Sequence, residues 1–332
     1  MAYDLEFEKP LAELEKKIAN LQRKGERLKP EERFQLQEAE REVRRRTEEI
    51  YKNLTSWQTV LVARHKDRPY SLNYIKLMCE DFFELHGDRS FGDDHAIVAG
   101  PARLDNQTVM LVCQEKGRDM KEKQFRNLGL PHPEGYRKAE RVMQQAEKFG
   151  MPIVCLIDTS GASVAMMDEE RGQAEAIAST LAVMSRLHVP IVATIIGEGG
   201  SGGALGIGVA DRVLMLQHSI YSVAAPEAAA SIIWRDSAYA QYAAEGMRVK
   251  AQEVYKLGLV DEIVPEPLGG AHRNYQQTAS NLKEAIQKNL TELKQLSVDE
   301  LLERRYQKFR TIGKYTRLQA SEMPTTSNIS QA

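Results

Sequence analysis

Cysteine is scarce in this chain: Cys79, Cys113 and Cys155 are the only three among 332 residues. They lie far apart and form no C-x-x-C pair, which excludes a zinc ribbon and a disulfide framework and suits a reducing compartment. An excess of either charge is lacking too, since 45 Lys and Arg face 47 Asp and Glu for a net charge of −2. That balance gives no global pull towards nucleic acid or an anionic membrane, so neither is expected as a partner. An anionic ligand would need a local basic site. No stretch approaches the ~18 uninterrupted apolar residues of a membrane span. The opening "MAYDLEFEKP" is acidic and lacks an apolar segment, so it does not read as a signal peptide. A cytoplasmic location is expected, and no metal site in this chain.

What is present is ordinary for a soluble globular protein, with 42% hydrophobic and 28% charged residues and enough length for a sizeable core. Leu11, Leu14, Ile18, Leu21 and Leu28 recur at three- and four-residue steps, interrupted at Gly25, and mark an amphipathic helix. After Lys29–Pro30 a second charged helix runs through Val43, Ile50, Leu54 and Trp57. Residues 1–65 are therefore expected to form a helical arm, packing on its own domain or on a partner. From about residue 95, strands and helices alternate. "AIVAGPARL" and "TVMLVCQEKG" read as a hairpin, and "MPIVCLIDTSGA" and "VPIVATIIGEGG" as buried strands separated by a helix beginning near Glu169. Continuous apolar strands with helical crossovers indicate an α/β fold with parallel strands. The main domain is expected over 66–272, C-terminal helices over 273–318 and a disordered tail over 319–332.

The stretch "IIGEGGSGGALGIGVADRVLML" at 195–216 reads as strand, glycine-rich turn and helix. Three chemistries compete for that turn. Gly197, Gly199 and Gly202 spell G-x-G-x-x-G, but earlier strand–helix units precede them and the next strand ends at Gln217–His218–Ser219 without a ribose-binding carboxylate. No Lys-Ser or Lys-Thr follows, which excludes a phosphate-binding P-loop. Gly199, Ser201 and Gly203 spell a nucleophile elbow, with Asp261 and His272 in order for a triad. The third reading needs only small residues. Bare backbone N–H groups at a helix N-terminus approach a developing oxyanion, at ~3–4 kcal/mol per donor in the transition state. Tight packing explains Gly206 and Gly208 but poorly explains four glycines within 199–203, so the oxyanion reading is preferred.

These residues also carry a resemblance. "GEGGSGGALGIG", together with "HPEGYRKAERVMQQAEKFGMPI", "DEERGQAEAIA", "YSVAAPEAAASIIWRD", "LGLVDEIVPEPLGGAHRN" and "FELHGDRSFGDDHAIVAGPARLD", resembles the carboxyltransferase α subunits of bacterial acetyl-CoA carboxylase, over roughly 5–315. The resemblance implies a crotonase- or ClpP-like superhelix of ββα units, with an N-terminal helical hairpin and C-terminal helices. It implies an α2β2 heterotetramer with a zinc-ribbon β subunit, served by a biotin carboxyl carrier protein and biotin carboxylase. The implied reaction moves the carboxyl group of carboxybiotin to acetyl-CoA, giving malonyl-CoA for fatty-acid synthesis. Release of CO2 leaves a biotin enolate able to remove the α-proton of acetyl-CoA, so no side-chain base is needed. By the motif match, the backbone N–H groups of Gly202 and Gly203 stabilise that enolate. Ser160, Gly161, Ala162 and Ser163, with Pro226, Glu227 and Ala228, are the implied biotin or substrate contacts.

Three segments depart from the usual family text. "IDTSGASVAM" carries Ser163, Val164 and Ala165 where Tyr, Pro and Gly are usual, "APEA" stands at 225–228 in place of "SPEG", and "CQEKGRD" at 113–119 is altered before its Lys-Gly-Arg. Losing Pro and Gly changes the permitted φ of a turn, and Ala228 would be strained if its position required φ > 0. An ordinary α subunit, a paralogue serving another acyl-CoA and a non-catalytic scaffold for a β chain all remain open. Lys116 and Arg118 at a strand end, and Arg137 and Lys138 near a helix start, are candidate CoA or subunit contacts. His132, His272 and Trp234 read as structural or interface residues.

Overall fold

The computed structural model describes residues 4–313; the expected tail at 319–332 lies outside them. The helices α1 (Lys9–Gln22), α2 (Pro30–Lys52), α3 (Ser56–Ala63) and α4 (Ser71–Met78) precede the strands β1 (Ile97–Leu104) and β2 (Gln107–Gln114). Then follow α5 (Met120–Phe125), α6 (Pro133–Lys148), β3 (Ile153–Thr159), α7 (Met166–Glu170), α8 (Gln173–Arg186), β4 (Ile191–Gly200) and α9 (Ser201–Leu205). The chain continues through β5 (Arg212–Leu216), β6 (Ile220–Ser222), α10 (Pro226–Trp234), α11 (Ala240–Gly246), α12 (Ala251–Lys256) and β7 (Glu262–Val264), and closes with α13 (Tyr275–Leu293) and α14 (Val298–Thr311).

The strands form one sheet in the order β1-β2-β3-β4-β5-β7, with β6 paired beside the end of β4. β1 and β2 are an antiparallel hairpin turning at Asp105–Asn106, where Asp105 is left-handed at φ +52°. The remaining pairs are parallel. Every residue of β3 and β4 is buried, as a strand covered on both faces must be. Alternation then divides the strands between two cores. Ile153, Cys155, Ile157, Ile191, Ala193 and Ile195 pack with Ala139, Val142 and Met143 of α6. Val154, Leu156, Val192 and Ile196 pack with Tyr74 and Met78 of α4 and Leu282, Ile286 and Leu290 of α13. Each such fully buried aliphatic chain contributes roughly 1.5–3 kcal/mol, which fixes the register of β3 against β4 and hence where their C-terminal ends meet.

The arm packs as a helical hairpin of α1 on α2. Its base is tied to the main body by Glu8, fully buried, which accepts from Tyr51 Oη at 2.8 Å and from Arg273 at 3.1 Å. α3, placed with the arm by sequence reading, packs against α11 and β6 of the main body. The helix expected from Glu169 is two helices, because Gly172 adopts φ +78° between α7 and α8. Among the described residues no helix is long and apolar enough to cross a membrane.

Candidate active site

β3 and β4 lie side by side, and after an irregularity at Ile157/Thr159 they re-pair as Thr159 with Gly199. Their C-terminal ends bring two loops together, 160–165 after β3 and the Ser201 turn that opens α9. A β-carbon on Gly200 would lie 2.2 Å from the Ser160 carbonyl oxygen, and one on Gly203 2.4 Å from the Ala162 nitrogen. Both must be glycine for the turn to seat on Ser160, Gly161 and Ala162. Gly202 differs, because its β-carbon position is open, with Ile177 Cδ1 nearest at 3.8 Å. Gly206 closes on the Tyr136 ring, as the packing explanation requires.

The first N–H groups of a helix have no intrahelical acceptor, so those at the start of α9 are available donors. The turn is braced from behind. The Gly203 carbonyl accepts from Gln114 Nε2 at 2.7 Å and Tyr136 Oη at 3.1 Å, while Gln114 Oε1 accepts from the Asp158 N–H at 3.1 Å. Ser201 sits at φ +54°, exposed. The turn borders a cavity of about 440 Å³ whose wall is mainly apolar, including Leu205, Tyr221, Val223, Met247 and Leu257, with Arg248 at its lining. None of its lining residues is Asp, Glu or His.

Below the turn runs a chain of buried charges. Lys116 Nζ donates to Glu198 at 2.6 Å and lies 2.8 Å from Asp158, and Asp158 Oδ1 accepts the Glu198 N–H at 2.9 Å. Arg64 Nε donates to the other Glu198 oxygen at 2.6 Å, and its two terminal nitrogens reach Glu227 at 2.6 and 3.3 Å. Burial alone would raise the Glu198 carboxyl, but Lys116 and Arg64 hold it at about 2. Burial likewise opposes the charge on Lys116, and Asp158 and Glu198 override it, raising the ammonium above its ordinary range.

The structure places the remaining candidate residues as follows. Lys116 is an internal counter-ion rather than a CoA contact, and so is Lys138, fully buried on Asp93 Oδ1 and the Asp94 carbonyl, both at 2.6 Å. Arg118 is spent on the carbonyls of Lys66 and Arg68 and on Asn73, with its guanidinium over the Tyr70 ring. Arg137 lies at the α6–α8 seam, donating to the Arg171 carbonyl at 2.5 Å. Ser163 turns inward: buried, it donates to Asp168, and its carbonyl accepts from Gln173 at 3.0 Å. His132 and Arg171 hold the other Asp168 oxygen at 2.7 and 2.8 Å. Burial would raise Asp168, and the Ser163 and His132 hydrogen bonds outweigh it and lower it. Val164 and Ala165, not Ser163, are the exposed residues of that loop.

Pro226, Glu227 and Ala228 form the first turn of α10, with Pro226 buried and Ala228 exposed. Ala228 is helical, so its β-carbon carries no strain. The elbow reading fails on its partners. Asp261 accepts the Val213 N–H at 2.6 Å and pairs with Lys308. His272 is buried and stacked on His65 at 3.8 Å. Among the described residues no hydrogen bond joins Ser201 to either. Sequence reading missed Gln114, Asp158, Glu198 and Arg64. The available signal was a charged or amide residue at the end of three otherwise apolar strands.

Residues 4–313 match the family model for acetyl co-enzyme A carboxylase carboxyltransferase-like proteins. The chain is 53% identical over 314 residues to the acetyl-coenzyme A carboxylase carboxyl transferase subunit alpha of Geobacter metallireducens, covering 94% of this chain and 98% of that one. It is 51% identical to the protein of that name from Methylococcus capsulatus, covering 94% and 97%. Among solved structures, transcarboxylase 12S with hydrolyzed methylmalonyl-coenzyme A bound superposes with a TM-score of 0.55 at 16% identity, over 79% of this chain and 46% of that one. A Pseudomonas malonate decarboxylase hetero-tetramer in complex with coenzyme A gives 0.54 at 17% identity, over 65% and 86%. These distant structures share the fold, the crotonase-like arrangement expected from the resemblance. The chain therefore belongs to the family of acetyl-CoA carboxylase carboxyltransferase α subunits.

Proposed function

We propose that this chain is the α subunit of a biotin-dependent carboxyltransferase, moving the carboxyl group of carboxybiotin on a carrier protein to acetyl-CoA to give malonyl-CoA. One observation carries the reading most directly. A glycine turn at the start of a helix borders an apolar cavity whose lining includes neither a carboxylate nor an imidazole. A side-chain acid or base is missing from that lining where a hydrolase would need one, and a reaction whose base travels on the substrate needs none. Carboxybiotin enters as substrate, supplying the transferable carboxyl group. The cavity's aliphatic wall suits its fused ring, and the Gly202 and Gly203 N–H groups face the negative charge that develops on the ureido oxygen. Gln114 and Tyr136 hold the Gly203 carbonyl, and with it the peptide that follows, so the turn is braced before the substrate arrives.

The acyl-CoA side is assigned to a β subunit in an α2β2 assembly, with the zinc ribbon on that partner. A biotin carboxyl carrier protein and biotin carboxylase supply the carboxybiotin, placing the reaction in cytoplasmic fatty-acid synthesis. Val223, Ile232, Ile233, Trp234, Tyr239 and Tyr242 are all exposed along the β6–α10–α11 segment. Apolar exposure gathered in one segment is the mark of a surface made to be covered. The test is malonyl-CoA-dependent carboxylation of biocytin by the full chain assembled with its β partner. Turnover by the mixture and by neither chain alone supports the proposal; a well-formed complex without turnover overturns it.

A further inference from the structure

Arg64 lies outside every segment that sequence reading assigned to the site, and it does not line the cavity. It follows the last residue of α3, and among the described residues its guanidinium is the one group bridging the carboxylates of Glu198 and Glu227. Glu198 stands three residues before Ser201 on β4, and Glu227 is the second residue of α10. Between them runs the segment 220–226, which carries the wall residues Tyr221 and Val223. Glu198 pairs in register with Ile220, so a shift of Glu198 moves both the turn and that wall.

We propose that Arg64 is a positioning residue for carboxyl transfer: by spanning Glu198 and Glu227 it fixes the separation between the Ser201–Gly203 donors and the N-terminal end of α10, and so the width of the slot that receives the biotin ring. The proposal rests on the carboxyltransferase reading. Its geometry is specific to arginine. Nε meets one carboxylate at 2.6 Å while the terminal nitrogens take the other at 2.6 and 3.3 Å, a planar fork serving two partners at once. Lysine offers a point charge and reaches one of them. The far oxygen of Glu198 is already held by Lys116, so losing Arg64 leaves the strand anchored below and frees it towards α10. Glu227 thus serves the site by holding Arg64, in place of the direct biotin contact implied by the motif.

The test uses the full chain assembled with its β partner and steady-state carboxylation of biocytin from malonyl-CoA. Arg64→Gln is expected to lower kcat/KM for biocytin about tenfold or more, through a raised KM, while KM for malonyl-CoA stays within about twofold, because a misplacement of about 1 Å at one substrate's seat can cost about a hundredfold. Arg64→Lys is expected to recover only part of the loss. The double variant R64Q/E227Q is expected to lose no more than R64Q, since the pair acts as a unit. If R64Q fails to assemble, Glu227→Gln alone carries the test, with the same selective rise in biocytin KM. An unchanged biocytin KM in assembled variants, or an equal rise for both substrates, overturns the proposal while leaving the reaction assignment intact. Absence of turnover in the unsubstituted assembly sinks the reaction assignment and this proposal together.

Discussion

Gly202 and Gly203 are neighbours in the chain, yet a β-carbon would make only an ordinary van der Waals contact with Ile177 at one and meet peptide backbone at the other. The two positions therefore separate function from folding. Gly202→Ala adds a methyl at the cavity edge without a clash, so the protein is expected to keep its melting temperature and lose activity at least about tenfold through misplacement of the substrate. Gly203→Ala forces the turn off Ala162, and a destabilisation of about 1–3 kcal/mol is expected from that overpacking. Thermal melts of the two variants beside carboxylation assays check both outcomes. Glu115 offers a test by pH. It is buried, and burial raises its carboxyl above the ordinary value; the N–H groups of Leu72 and Gly117 offset this only in part. A carboxyl with a raised folded pKa binds its proton preferentially in the folded state, so stability falls as pH rises through that pKa. Glu115→Gln, which cannot titrate but keeps only one of the two acceptor oxygens, is therefore expected to flatten the fall in melting temperature between about pH 4 and neutrality, read from thermal melts across that range.

At the scale of elements, α10 begins without a cap. Ala225 occupies the N-cap position in extended conformation, and no side-chain oxygen meets the first-turn N–H groups of the helix. Ala225→Ser restores the residue usual in the family, and about 1 kcal/mol of stabilisation is expected from the new hydrogen bond, read as a rise in denaturation midpoint without loss of turnover. The departures in the 160–166 loop are compensated by other elements. Ser163 is held by Asp168 of α7, and Gln173 of α8 donates to both the Pro131 and Ser163 carbonyls. The strand–helix alternation from β1 to β5 was legible because an apolar run between polar turns has few other readings. The split of the helix near Glu169 into α7 and α8 was not. It depends on Gly172 adopting φ +78°, and a lone glycine in a helical pattern does not announce that.

For the whole molecule, glycine spacing was enough to locate the turn, since only close backbone approach explains small residues in that density. What holds the turn was hidden. Asp158 and Glu198 lie on β3 and β4, Lys116 follows the end of β2, and Arg64 arrives from the end of α3, 134 residues before Glu198. Such a charge network is invisible until the sheet brings the strand ends together. Lys116 and Lys138 misled for the same reason, because a lysine's partner cannot be read from its neighbours in sequence. The central claim is that a donor turn beside an apolar cavity performs carboxyl transfer with a base borne by the substrate. The most direct measurement is malonyl-CoA-dependent carboxylation of biocytin by the full chain with its β partner, run beside the Gly202→Ala variant in an equally well-formed complex. The account predicts turnover in the first and its loss in the second; a silent unsubstituted complex, or a Gly202→Ala complex of full activity, would contradict it.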